Sequence, residues 1–195
     1  STWTEVNNLN TGRSGLDNAG AGTQTAGLAF GGGITPASAL TETFNGTNWT
    51  EVNDMNSAKK QLGGVGTQTS ALAFAGENPG NPVLAITESW NGTNWTEVND
   101  LNTAKVSRAG IGANNTGALA VSGAPSGNIN EQWNGTNWAE VNDLNTARQY
   151  LAGSGSSTAG LAFGGYNGTV AVGNTEIWNG SVFSETSDLN TARYG

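Results

Sequence analysis

The sequence predicts an all-β propeller of four-stranded antiparallel blades, and three observations support this prediction. A segment that starts with an aromatic residue recurs five times in the 195 residues, in steps of 46, 46, 43 and 45. A period of this length, with glycine and aromatic residues at fixed places, is typical of propeller blades. Asn-Gly pairs mark tight hairpins, and no stretch has the spacing of an amphipathic helix. The five copies start at Trp3, Trp49, Trp95, Trp138 and Phe183.

The first and second strands of each unit differ in composition. The first is rich in glycine and alanine, as at 62–66 and 109–112. First strands line the axis of a propeller, where small side chains let neighbouring backbones approach. The second strand alternates leucine with phenylalanine or valine on one face and alanine on the other, which indicates packing on both faces. The alternating pairs are Leu28 and Phe30, Leu72 and Phe74, Leu119 and Val121, and Leu161 and Phe163.

The third and fourth strands form the hairpin at the outer edge of each unit. The third strand ends in glutamate, one further residue and an aromatic, and Asn-Gly follows at once. Five residues after that aromatic, the fourth strand opens with its own aromatic residue in all four units. The third strands end at Phe44, Trp90, Trp133 and Trp178.

These units give blades at about 13–55, 59–101, 105–144 and 148–189, with 1–12 as an extra copy of the outer strand. Four inner strands are present, so we favour a four-bladed ring with one redundant or displaced strand. A five-bladed ring whose remaining three strands come from other chain segments is an alternative. A third possibility is a segment of a longer or multi-chain array.

Composition excludes several classes of function. The chain has no His and no Cys, so the commonest general base and the thiolate nucleophiles and metal ligands are missing. We therefore expect no cofactor, no metal site and no enzymatic activity. The net charge of −8 argues against a nucleic-acid partner. No apolar run is long enough to cross a bilayer. The sequence does not begin with basic residues followed by an apolar stretch, so we expect no signal peptide.

The pattern resembles the kelch-type repeats. Such repeats pair a hydrophobic strand ending in Gly-Gly with a Glu-x-aromatic strand, followed by a tryptophan and then by an arginine that opens the next blade. Here the glycine pairs are 31–32 and 164–165, whereas 75–76 and 122–123 keep one glycine each. The resemblance covers essentially the whole chain and implies a β-propeller. The style, rich in Asn, Thr and Gly, is similar to kelch-like arrays of phage virion and bacterial surface proteins, which implies an extracellular or virion-surface location, as in a tail fibre or an adhesion protein.

Several recurrent side chains have both a structural and a ligand-binding interpretation. The tryptophans could stack on sugars, but we expect them to fill the wedge between adjacent blades. A ring of aspartates at 54, 100, 143 and 188 could bind Ca²⁺, but we expect each to cap its own turn.

The best candidates for ligand contacts lie on loops of variable length. The spacing from the second strand to the third-strand glutamate varies between units, and these loops share a face with the turns that carry the cations. Binding residues tend to lie on loops over a rigid scaffold. The loops hold Ile34, three prolines at 36, 79 and 82, and Pro125. The candidate ligand-binding residues are Asn78, Asn81, Tyr166, Asn167, Arg13, Lys59, Lys105 and Arg148.

We therefore expect a non-enzymatic binding module that recognises a glycan or a surface protein through this loop face, with possible homo-oligomers or larger assemblies and no membrane insertion. One alternative is a structural spacer or shell without a dedicated ligand. Another is a glycosidase-like propeller, since paired carboxylates suffice for that chemistry. Such a pair must break the repeat, and only Asp17 and Glu77 lie outside the repeated acidic positions.

Overall fold

The computed structural model describes residues 3–33, 36–125 and 127–195, and every regular element within these ranges is a β-strand. In chain order the strands are β1 Gly20–Thr23, β2 Ala26–Phe30, β3 Thr41–Phe44, β4 Trp49–Val52, β5 Gly63–Thr67, β6 Ser70–Phe74, β7 Thr87–Trp90, β8 Trp95–Val98, β9 Ala109–Asn114, β10 Gly117–Val121, β11 Asn130–Trp133, β12 Trp138–Val141, β13 Ala152–Ser156, β14 Ala159–Phe163, β15 Thr175–Trp178 and β16 Phe183–Glu185.

The strands form four antiparallel sheets of four consecutive strands each, and these sheets are the blades. Blade 1 holds β1 to β4, blade 2 holds β5 to β8, blade 3 holds β9 to β12 and blade 4 holds β13 to β16. The predicted all-β fold with four-stranded blades is confirmed. Residues 3–12, which repeat the sequence of an outer strand, form no strand in the structure.

The outer hairpins follow from their Asn-Gly turns. In blade 1, Phe44 lies opposite Trp49, and the Asn45 side-chain oxygen accepts hydrogen bonds from the backbone N–H groups of Thr47 and Asn48. Gly46 has a φ of +92°, which favours glycine. The same capped turn recurs at Asn91, Asn134 and Asn179.

Aromatic side chains fill the space between blades. Trp95 of blade 2 packs edge-on against Phe30 of blade 1, with ring centroids 5.0 Å apart. Trp138 of blade 3 makes the same contact with Phe74 of blade 2, at 5.2 Å. The wedge interpretation is confirmed for the buried tryptophans at 90, 95, 133, 138 and 178.

The inner strands lie side by side in the order β1, β5, β9 and β13, and glycine makes this approach possible. A Cβ atom added at Gly110 of β9 would lie 2.4 Å from the Gly64 carbonyl oxygen of β5. Among the described strands, β13 does not pack along β1 in this way. The inner-strand contacts therefore run from blade 1 to blade 4 without joining blade 4 to blade 1.

A buried hydrogen bond links the outer strand of one blade to the third strand of the blade before it. The Trp138 indole Nε1 donates to Thr87 Oγ1 at 3.0 Å, and Trp95 donates to Thr41 in the same way. At the junction of blades 3 and 4, Phe183 and Asn130 occupy the equivalent positions. Both partners have therefore changed there, and no indole donor is left unpaired.

We expect Trp138→Phe to lower the free energy of unfolding by about 1 kcal/mol, because it removes this hydrogen bond and keeps most of the ring. Urea titration measures the loss. Thr87→Val should have a comparable effect, and the double variant should lose less than the sum of the two single variants. Strictly additive losses would show that the two side chains do not act as a pair.

Candidate functional site: the loop face

One end of the propeller, here called the loop face, carries two connections of every blade. These are the turn that leads into the inner strand and the loop between the second and third strands. Their backbones touch through isolated β-bridges, so the predicted sharing of one face is confirmed. The bridges join Ser14 to Gly33, Lys60 to Glu77, Val106 to Ala124 and Gln149 to Tyr166.

Three of the four predicted loop-face cations point into the protein. The side chains of Arg13, Lys59 and Arg148 are fully buried, and each forms an ion pair with the third-strand glutamate of its blade. Lys59 Nζ lies 3.1 Å from Glu88. Burial lowers the pKa of Lys59, and the adjacent Glu88 carboxylate opposes that shift. These cations stabilise the contact between the clasp and its blade. Their charged groups are buried, so they do not face a ligand bound on the loop face.

Blade 3 uses a different cation. Arg108, three residues after the repeat position, pairs with Glu131 at 3.3 Å and is fully buried. Burial lowers the pKa of Arg108 to about 10, against the attraction of Glu131. Lys105, which holds the repeat position, donates instead to the Pro125 carbonyl oxygen at 3.0 Å. Burial, together with the nearby positive charge of Arg108, lowers the pKa of Lys105.

The ion pairs of Arg13, Lys59 and Arg148 belong to a larger contact. We use the word clasp for the four-residue segment that follows each copy of the outer-strand sequence and makes this contact. The five segments are 10–13, 56–59, 102–105, 145–148 and 190–193. The first residue is asparagine, and in blade 2 the backbone N–H and the side-chain amide of Asn56 both donate to Glu88. Asn10, Asn102 and Asn145 bind Glu42, Glu131 and Glu176 in the equivalent places. Every one of these clasps thus docks on the blade that follows it.

A cleft with a volume of about 540 Å³ lies on the loop face between blades 1 and 2. Lys60 and Glu77 line it and form a partly exposed ion pair at 3.2 Å. Both residues lie outside the repeat of charged positions. Their wall is completed by Asn78 and by the prolines at 36, 79 and 82. Ile34, also expected in this loop, lies outside the described residues.

The remaining candidates occupy two separate blades. In blade 2, the Asn78 side chain accepts hydrogen bonds from the backbone N–H groups of Gly80 and Asn81, so it shapes its own loop at the edge of the cleft. In blade 4, Asn167 caps its loop in the same manner. The structure therefore brings Asn78 and Asn81 together but places Tyr166 and Asn167 elsewhere on the face.

Blade 4 gathers all three tyrosines of the chain, a cluster that the sequence spacing did not suggest. The ring of Tyr194 lies 5.2 Å from that of Tyr166 and 6.3 Å from that of Tyr150. Tyr194 is exposed, so the cluster presents an aromatic surface next to Arg193. The backbone bridge from Gln149 to Tyr166 joins the two segments that carry Tyr150 and Tyr166, and both of these rings contact Tyr194.

A small cavity of about 130 Å³ opens at the axis on the same face. Asp17 lines it and accepts a hydrogen bond from Ser107 at 3.1 Å. Tyr150 and Ala152 of blade 4 line the same cavity, so the two end blades converge here. Asp17 thus lies at the axis and Glu77 in the cleft, and the two acids outside the repeat are not brought together.

Within the described ranges, no group of carboxylates is placed to hold a metal ion, and no helix is long and apolar enough to span a membrane. We expect the aspartates to cap their own turns, but in three blades they bind the third strand instead: Asp54, Asp100 and Asp188 each accept a hydrogen bond from the backbone N–H of its first residue. In comparisons with known proteins, no protein-family model matches the chain, and no curated protein matches it.

Proposed function

We propose that this chain is a non-enzymatic binding module, built on a kelch-type propeller, that recognises a glycan or a surface protein through the cleft on its loop face. The observation that carries the proposal is that the charged residues fall into two sets, one buried between the blades and one exposed in the cleft. The repeated third-strand glutamates and most of their cations are buried where the clasps dock. Lys60 and Glu77, which break the repeat, meet in the open cleft.

A single ligand site on a repeated scaffold needs residues that the other units lack, and the cleft provides them. The Lys60 ammonium can donate to a sugar hydroxyl or a carboxylate, and the Glu77 carboxylate can accept. The prolines at 36, 79 and 82 add rigid apolar walls. Such a mixture of apolar surface and a few oriented polar groups is usual in binding sites. The tyrosine cluster of blade 4 offers a second surface on the same face for a larger ligand.

The proposed setting is the surface of a virion or a cell, as in the phage and bacterial proteins that the repeat resembles. A labelled chain should bind intact bacterial cells of a suitable host. Loss of binding after periodate treatment of the cells identifies a glycan, and loss after protease treatment identifies a protein. A glycan array then shows whether one sugar is preferred.

Replacing both cleft charges, as Lys60→Gln with Glu77→Gln, should weaken binding at least about tenfold, which corresponds to about 1.4 kcal/mol. The same double variant should change the free energy of unfolding by less than about 0.5 kcal/mol, because the pair is partly exposed. Titration calorimetry with the selected ligand and urea unfolding measure the two effects.

The control is Glu51→Gln with Glu97→Gln, which also removes two charges, at exposed outer-strand residues outside the cleft. This control should bind like the parent chain. Equal loss in both double variants would indicate a general charge effect, and full binding by the cleft variant would refute the site.

A structural array is the second candidate function, and the repeated clasps favour it. Three blade-to-blade junctions, each with a clasp, are suited to a spacer in which blades follow one another without a dedicated ligand. Cells and glycans that bind no more of the labelled chain than of an unrelated acidic protein would support the array and oppose the binding module. Electron micrographs that show extended filaments of the chain would give the array direct support.

A further inference from the structure

We propose that the outer side of blade 4, together with the fifth clasp at 190–193, is a docking surface for one further blade of the same repeat. We call this surface the open face. It consists of Leu161 and Ile177 of blade 4 and of Asn190 and Arg193 of the clasp. The partner it fits is a sheet with a glycine-rich inner strand and a third strand that carries a glutamate.

The apolar part of the open face has a covered equivalent in every other blade. Leu161 is 39% exposed, whereas its counterparts Leu28, Leu72 and Leu119 are at most 2% exposed. Ile177, on the neighbouring strand, is 44% exposed. In blades 1 to 3 a following blade covers these positions. Blade 4 therefore presents the surface that three internal junctions bury.

The fifth clasp is seated by its backbone, but among the described residues its side chains meet no carboxylate: the Arg193 Nε donates only to the Thr191 carbonyl oxygen, at 3.3 Å. The Arg193 carbonyl oxygen accepts a hydrogen bond from Gly165 at 2.8 Å, as the Lys59 carbonyl does from Gly32 at 3.0 Å. Asn190 and Arg193 are both exposed, and among the described residues Arg193 forms no ion pair. The four other clasps all meet a glutamate. A carboxylate from a further blade would complete the fifth.

Blade 1 cannot supply that carboxylate. Its glutamate, Glu42, already binds the first clasp, through Asn10 at 2.7 Å and Arg13 at 3.1 Å. The segment before this clasp repeats the sequence of an outer strand, yet Trp3 is fully exposed, whereas Trp95 and Trp138 are buried. Residues 3–6 thus have the composition of an outer strand but pair with no other strand among the described residues.

Both ends of the molecule point to the same occupant. Blades 1 and 4 converge on the axial cavity, so a blade that uses residues 3–6 as its outer strand would lie next to blade 4 as well. Its glutamate would accept hydrogen bonds from the side chains of Asn190 and Arg193. The indole of Trp3 would donate a hydrogen bond to Thr175, as the indole of Trp95 does to Thr41. We infer a five-bladed ring in which the inserted blade closes both open junctions.

The test adds such a blade to the intact chain. A copy of residues 61–92, which contains β5 to β7 and the Asn-Gly turn, is placed directly before Ser1. The extended chain should be monomeric, should unfold in one transition, and should melt about 10 °C higher than the 195-residue chain. Acrylamide quenching of Trp3 fluorescence, obtained by comparison with Trp3→Phe variants, should fall several-fold.

A matched substitution distinguishes a clasp from simple addition of mass. Arg193→Ala should lower the melting temperature of the extended chain and leave that of the 195-residue chain unchanged. An added segment that proteases digest while residues 3–195 survive would overturn the proposal. Head-to-tail association of the unextended chain with protection of Trp3 would also overturn it, since a second copy would then be the occupant.

Discussion

Gly110→Val is expected to destabilise the protein by about 4 kcal/mol, close to the whole stability of many domains. A Cβ atom at this position would lie 2.4 Å from the Gly64 carbonyl oxygen and 2.6 Å from Val65 Cγ1. Both atoms belong to the neighbouring inner strand, so relief requires two blades to separate. Overpacking against backbone is not relieved by a change of rotamer. Thermal unfolding followed by circular dichroism measures the loss.

Gly12→Val is the matched control, because a Cβ atom at Gly12 would meet nothing within 4 Å and its φ lies outside the range that favours glycine. We expect a change of less than about 0.5 kcal/mol. A Gly110→Val chain as stable as the control would mean that β5 and β9 are not in close contact. That result would contradict the packing of the inner strands.

Glu88→Ala should cost about 3–5 kcal/mol, because it leaves the buried Lys59 ammonium without its carboxylate. The same change removes the acceptor of Asn56 and of the Ser57 backbone N–H at the junction of blades 1 and 2. Urea unfolding should show a lower midpoint, and the slope should stay constant if the two blades still unfold together.

Glu97→Ala provides the comparison, since Glu97 lies directly opposite Glu88 on the next strand but is exposed. We expect a change within about 0.5 kcal/mol for this variant. If Glu88→Ala lowers the free energy of unfolding no more than Glu97→Ala does, the buried ion pair makes no net contribution to stability. Its attraction would then only offset the cost of its desolvation.

The strands were predictable because their signals are local. The Asn45-Gly46 turn fixes its hairpin through the asparagine side chain, and the alternation of Leu72 and Phe74 requires a strand covered on both faces. The repeat multiplied each signal by four. The four blades of the chain could be counted from its four glycine-rich inner strands, and this count did not require knowing how neighbouring blades pack.

The site was less predictable because it depends on contacts between distant residues. Spacing placed Lys105 at the repeated position of the loop-face cations. In blade 3 the structure gives the ion pair to Arg108 instead, whose guanidinium also reaches the Ala120 carbonyl oxygen. Lys60 and Glu77 could be recognised singly as exceptions to the repeat. Their meeting depends on the backbone bridge between turn and loop. Departure from the repeat was the available signal, and it has to be combined with topology before it identifies a site.

The clasp gives the array a polarity that bears on how such a sequence can grow. Each blade is followed by a clasp that donates to the next blade, and each blade holds the glutamate that accepts the clasp of the blade before it. For example, Asn56 and Lys59 follow β4 of blade 1 and bind Glu88 of blade 2. Tandem duplication of a whole period such as blade 2 therefore inserts a new unit whose clasp donors and glutamate acceptor already match those of its neighbours. Gene length can change by single periods without compensating substitutions. What then limits copy number is the angle between neighbouring sheets.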